Sequence, residues 1–222
     1  MSDARERLTR LIELASENAP EKQAALAFEL CDLLVDWPQR YPQIMREPFE
    51  ALLEKVLRRL DETTRRLIAT RLSQHSETAV ALLNECYFDV PTKARSVILD
   101  RNVDAPEEAP SSVDVEGEAR LIDIARRKTP AELAGELAKF LSVSPAMAQS
   151  ILDDASGDAL AVACRGANMR RATYSALVVF ARGGPGTKAD ALYERLSAFD
   201  AIPENGARRM LGHWRRENAR AA

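Results

Sequence analysis

Apolar residues recur at helical spacing along almost the whole chain, and this periodicity restricts the fold more than any other feature of the sequence. Leu8, Leu11 and Ile12 open a first amphipathic segment. Pro20 stands where a first helical turn tolerates it, and behind it Leu26, Leu30, Leu33 and Leu34 fall at i, i+4, i+7 and i+8. Phe49, Leu52, Leu53, Val56, Leu57 and Leu60 form the cleanest stripe. Asp61 is an expected N-cap for a helix carrying Leu67, Ile68 and Leu72, and Ser76 for one carrying Val80, Leu83 and Tyr87. Pro91 starts a further one with Ala94, Val97 and Ile98. Few stretches alternate as a half-buried strand would, and only 5% of residues are aromatic. The expected fold class is all-α. The run Thr173–Phe180, TYSALVVF, has strand propensity, but its flanking caps and the lack of a partner strand make it a buried helix.

The pattern breaks once. Residues 102–116, NVDAPEEAPSSVDVE, hold two prolines, two serines and five acidic residues, with no large apolar residue beyond isolated valines. This reads as an acidic linker or loop. It separates an N-terminal lobe, 1–101, from a C-terminal lobe, 117–222. The brief helices and short connections of the first lobe suggest a HEAT-like antiparallel stack. The second lobe reads as a helical bundle. Thr129-Pro130-Ala131-Glu132 fits a capping box, Ser144-Pro145 repeats the start signal, and Asn168 and Thr187 are expected caps for further helices.

Composition removes several function classes. No apolar run approaches the roughly 20 residues that span a bilayer, and the charged N-terminus lacks the apolar core of a signal peptide. No membrane association and a cytoplasmic location are the expectations. Cys31, Cys86 and Cys164 are too scattered for a disulfide framework and sit among apolar neighbours, as small buried hydrophobes do. The two histidines, His75 and His213, stand far from any ligand spacing, so neither a metal site nor a hydrolase triad is expected. Arg182 to Lys188, RGGPGTK, lacks the order of a phosphate loop and follows a helix rather than a strand. It reads as a glycine stop and turn. Asp153, Asp154 and Asp158 lack the spacing of a calcium loop and suit a helix end followed by a helix start. No cofactor and no catalytic residue are expected.

Charge is the one uneven feature. The net charge is −3, but residues 159–222 carry 11 basic and 5 acidic side chains, against 6 and 12 in residues 101–158. The candidate partner-binding residues are therefore Arg165, Arg170, Arg171, Lys188, Arg208, Arg209, Arg215 and Arg216. A basic segment of this kind can track phosphate backbones, with Arg170 and Arg171 at the start of a recognition helix. Alternatively it is a solvated face paired with the acidic middle segment of the same chain. Trp37 and Tyr41, each followed by proline, form a second candidate surface, which either packs the turn or lines a groove for a partner helix.

The stretch Gly157-Asp158-Ala159-Leu160-Ala161-Val162-Ala163-Cys164-Arg165-Gly166-Ala167, with Arg171-Ala172-Thr173-Tyr174-Ser175-Ala176-Leu177 after it, resembles an alphaproteobacterial family known as domain of unknown function 2336. Phe199-Asp200-Ala201-Ile202-Pro203, Ala207-Arg208-Arg209 and Trp214-Arg215 are similar to that family's ending, and the helices from Phe49 to Leu72 to its HEAT-like half. The resemblance implies an all-helical fold and a bacterial cytoplasmic setting, and it brings no catalytic residues.

These readings converge on a non-enzymatic protein-interaction or regulatory scaffold. The alternative is a nucleic-acid-binding regulator that uses the basic C-terminal segment. The expected partner is a protein, with nucleic acid second and self-association compatible with both.

Overall fold

The computed structural model describes residues 2–38, 41–76, 78–102, 113–127, 129–182 and 188–221. Among them are thirteen α-helices, one 3-10 turn and no strand, so the protein is all-α. It divides into two compact units, Met1–Ile98 and Leu99–Ala222.

The first unit holds α1 (Ser2–Ser16), α2 (Pro20–Val35), a 3-10 turn (Gln43–Met45), α3 (Glu47–Leu57), α4 (Glu62–Ser73) and α5 (Val80–Glu85). The unit boundary falls inside α6 (Thr92–Arg101). Helix α2 packs against α1, α3 and α4, and α5 packs against α3 and α4. The leucine stripe of α2 is the centre: Leu26, Leu30, Leu33 and Leu34 are all buried, against Leu53, Val56 and Leu57 of α3 and Ile68 and Leu72 of α4 among the core residues. Each such side chain contributes about 1.5–3 kcal/mol by leaving water. Three apolar residues of the expected stripes face outward instead, Ile12, Leu67 and Val97. Helix α4 buries Ile68, Ala69 and Leu72, which turns Leu67 one position off the core face. Asp61 caps α4 as expected, accepting from the Thr64 amide at 2.9 Å. Helix α5 starts later than its expected Ser76 cap, with Ala79 before Val80 and no side-chain cap.

Polar contacts pin this unit. Buried Arg46 donates through Nη2 to the Leu34 carbonyl at 3.0 Å, satisfying the C-terminus of α2, and through Nε to Glu50 at 2.8 Å. Arg65 reaches Asp89 at 2.9 Å. Burial of Asp89 holds its carboxyl above the usual 3.8, although the Arg65 hydrogen bond pulls the other way. The native chain thus binds that proton more tightly than the unfolded chain. The Asp89 contribution to stability therefore falls as pH rises from 3.8 through the folded-state value. In thermal melts, the stability of Asp89→Asn relative to the parent should grow as pH is raised through that window. A difference that is flat or shrinks with pH refutes the assignment.

The second unit contains α7 (Val115–Arg127), α8 (Pro130–Leu141), α9 (Pro145–Asp153), α10 (Asp158–Gly166), α11 (Arg171–Arg182), α12 (Ala189–Ala201) and α13 (Glu204–Ala221). Helix α10 is its axis. Ala159 to Cys164 are all fully buried, and α9, α11, α12 and α13 surround them. A helix apolar on every side is stable only when enclosed. Its small residues let neighbours approach closely: a Cβ built on Gly166 would stand 2.5 Å from the Ala207 carbonyl oxygen of α13.

Local signals set the helix ends. The aspartates at 153–158 close one helix and open the next. Asp154 accepts from Ser156 Oγ at 2.7 Å and from the Ala159 amide at 3.1 Å, at the start of α10. Ser144 accepts from the Met147 amide at 3.1 Å. The Thr129 hydroxyl meets Glu132 side chain to side chain at 2.9 Å, without capping a backbone amide. Asn168, expected to cap the next helix, instead closes α10: it adopts φ 56°, and the Met169 amide returns to the Cys164 carbonyl at 2.9 Å. Residues 103–112 of the acidic stretch and 183–187 of the glycine-rich stretch, Thr187 among them, lie outside the described residues. Val115 and Glu116, at the end of the acidic stretch, already belong to α7.

Candidate functional site

The eight candidate cations of the second unit are distributed over α10, α11, α13 and the turns beside them, and most are held by partners in the same unit. The key group is Glu118 on α7, which is 0% exposed. Its carboxylate accepts from the Arg170 backbone amide at 3.1 Å, from Arg170 Nε at 2.6 Å, and from the Thr173 hydroxyl. It thus acts as an N-cap for α11 supplied by a distant helix. The Arg170 side chain is 51% exposed, so its charge is half engaged inside and half in water.

Arg171 grips Asp200 of α12 through two nitrogens, at 2.8 and 3.0 Å. The hydrogen bonding between them raises the Arg171 pKa and lowers that of Asp200. Arg165 lies 5.2 Å from the centre of the Phe199 ring and 3.9 Å from Glu204. Arg208 pairs with the same Glu204 one turn earlier on α13. Arg215 donates to the Leu141 carbonyl at 2.8 Å and so ties α13 to the end of α8. Arg209 is part-buried. Lys188 and Arg216 are exposed. Five of the eight cationic candidates, Arg165, Arg170, Arg171, Arg208 and Arg215, are thus engaged by partners within the unit, and Arg165 and Arg208 share Glu204.

The second candidate lies in the first unit. Trp37 and Tyr41 pack edge to face with ring centres 6.0 Å apart, and Trp37 Nε1 donates to the Tyr41 carbonyl at 3.3 Å. The Phe49 ring of α3 stands 5.9 Å from Trp37. The aromatics thus pack the corner between α2 and α3. Directly after them, on the 3-10 turn, Ile44 and Met45 are 76% and 49% exposed. This pair belongs to no helical stripe and was not legible as a surface feature. The nearest signal is its place between Pro42 and Pro48, where no helix could bury it.

The thiols are not part of either surface. All three are buried, and burial pushes the Cys31 pKa up to about 11 and those of Cys86 and Cys164 higher still. A thiol held protonated is a poor nucleophile.

The family model of DUF2336, an uncharacterised protein conserved in bacteria, matches residues 49–212. The chain belongs to the DUF2336 family. The matched region runs from within α3 to within α13 and includes Glu118, Arg170, Arg171 and the whole of α10. Trp37, Tyr41, Ile44 and Met45 lie before it, and Arg215 and Arg216 after it. The carboxylate bridge between α7 and α11 is therefore part of the DUF2336 region, whereas the exposed apolar turn stands outside it. Comparison with curated proteins and with solved structures gave no match. No helix among the described residues is long and apolar enough to cross a membrane.

Proposed function

We propose that this DUF2336 member is a non-enzymatic protein-interaction or regulatory scaffold module that works in the cytoplasm, with its first unit serving as a HEAT-like stack. The observation that carries this reading is the exposed Ile44–Met45 pair beside the Trp37–Tyr41 corner. Adjacent aliphatic side chains left in water forgo roughly 1.5–3 kcal/mol each on full burial, and flexible methionine suits an adaptable contact. A photo-crosslinking amino acid at position 44, in cells that natively make the protein, should give discrete protein adducts that disappear when Met45 is replaced by Asp. Adducts absent, or unchanged by that substitution, would count against the reading.

The exposed portions of Arg170 and Arg171 favour a second reading, nucleic-acid binding. Against it, Glu118 and Asp200 already neutralise both guanidinium groups. Fluorescence anisotropy with mixed-sequence duplex DNA and single-stranded RNA separates the two. The expected result is no binding at low salt. Binding that falls steeply with salt, and falls again in Arg170→Ala/Arg171→Ala, would replace the scaffold reading with this one.

A further inference from the structure

Helix α12 is the least buried helix of the second unit. Among the described residues it encloses one side chain, Phe199, and seven of its thirteen residues are exposed. Leu192 and Leu196 are part-buried, and Tyr193 is 74% exposed. No side chain of residues 189–194 makes a hydrogen bond or an ion pair among the described residues. The ends add little. Lys188 supplies no side-chain cap, and Pro203, which lacks an N–H, has no amide to give the last turn.

The anchors of α12 lie in residues 195–200. The Phe199 ring stacks on Tyr174 of α11 with centres 5.0 Å apart, and the Arg165 guanidinium of α10 stands 5.2 Å from the Phe199 ring centre. The Tyr174 hydroxyl donates to the Arg195 carbonyl, and Arg195 Nη2 donates to the Ala155 carbonyl at 3.1 Å. Asp200 holds Arg171, but both side chains are more than half exposed, and a surface pair of this kind contributes little. Phe199 is therefore the main apolar group that keeps the helix in place. The neighbours of α12 are held by contacts in which it has no part. Glu118 ties α11 to α7, and Gly166 brings α10 against the backbone of α13.

An element with few buried apolar contacts opens at a lower free energy than the fold as a whole. Unwinding also lengthens the chain, since a helix advances about 1.5 Å per residue and an extended chain about 3.3 Å. The opening thus requires no movement of α11 or α13. We infer that α12 is a latch, which unwinds and recloses as a unit with Phe199 as its catch while the other helices of the unit stay folded. The open latch uncovers the Tyr174 ring, parts Arg165 from Phe199 and parts Arg171 from Asp200. This inference is independent of the interaction-module reading.

The test is amide hydrogen exchange of the full-length protein, read by mass spectrometry of peptides from α7 to α13 at several low urea concentrations. Amides of α12 should exchange roughly a hundredfold faster than those of α10 and α13. Their rate should depend only weakly on urea, because little surface is uncovered. Phe199→Leu should speed α12 exchange by roughly tenfold. Ala138→Gly, in α8, should speed α10 and α13 exchange by about two- to fivefold. It should leave α12 exchange unchanged, because α8 is folded whether the latch is open or closed. Exchange in α12 as slow as in α10 and α13, a urea dependence as steep as theirs, or equal acceleration of all the helices by Ala138→Gly would overturn the inference. So would α12 exchange that Phe199→Leu leaves unmoved.

Discussion

Glu118→Ala is expected to lower the stability of the C-terminal unit by about 3–5 kcal/mol, the usual cost of removing one partner from a buried charge arrangement. Two donors lose their acceptor together, the part-buried Arg170 amide at the start of α11 and the buried Thr173 hydroxyl. Each orphaned donor costs about 1–3 kcal/mol. Since a whole domain is stable by only about 5–15 kcal/mol, the variant should lie close to unfolding. Glu118→Gln keeps the shape and one acceptor oxygen and should cost less. Arg170→Ala should cost least, because half of that side chain is already in water and the carboxylate retains its other donors. Urea denaturation followed by Trp214, buried in this unit, reads the effect when Trp37 of the first unit is replaced by Phe. A Glu118→Ala midpoint equal to the parent's, or an Arg170→Ala loss larger than the Glu118→Ala loss, would show that the carboxylate is not the organising group.

The second large effect concerns two glycines with opposite answers. At Gly166 a methyl group would stand 2.5 Å from the Ala207 carbonyl oxygen and 2.9 Å from its carbon. Both are backbone atoms of α13 and cannot swing aside. Gly166→Ala should destabilise by about 1–3 kcal/mol through overpacking, even though alanine is the better helix former by roughly 1 kcal/mol. At Gly135, inside α8, nothing lies within 4 Å of the same methyl position. Gly135→Ala should therefore stabilise by about 0.5–1 kcal/mol. The same denaturation assay should move the two midpoints in opposite directions. Equal shifts would mean that α10 and α13 do not cross as closely as described.

Helix type and most helix starts were legible because they are local. Asp61 and Ser144 announce themselves by their spacing to the amides they cap, and the stripe of α2 by its period. The facing of a helix is less local. Leu67 and Ile68 are adjacent and equally apolar, and only the packing of α4 decides which is buried. The candidate cations were legible as a group, but their use was not. Glu118 stands 52 residues from Arg170, and no periodicity connects an acid on one helix with the first turn of another. Their state of engagement required the tertiary contacts.

Helix α10 has a further consequence, in the order of synthesis. It is complete at Gly166, whereas α13, which packs along it, begins at Glu204 and runs to Ala221. At typical translation rates of about 5–20 residues per second, the most completely buried helix of the unit waits some seconds for the segment that encloses it. During that interval its all-round hydrophobic surface is open to other nascent chains and to chaperones. That exposure lasts until α13 has been made.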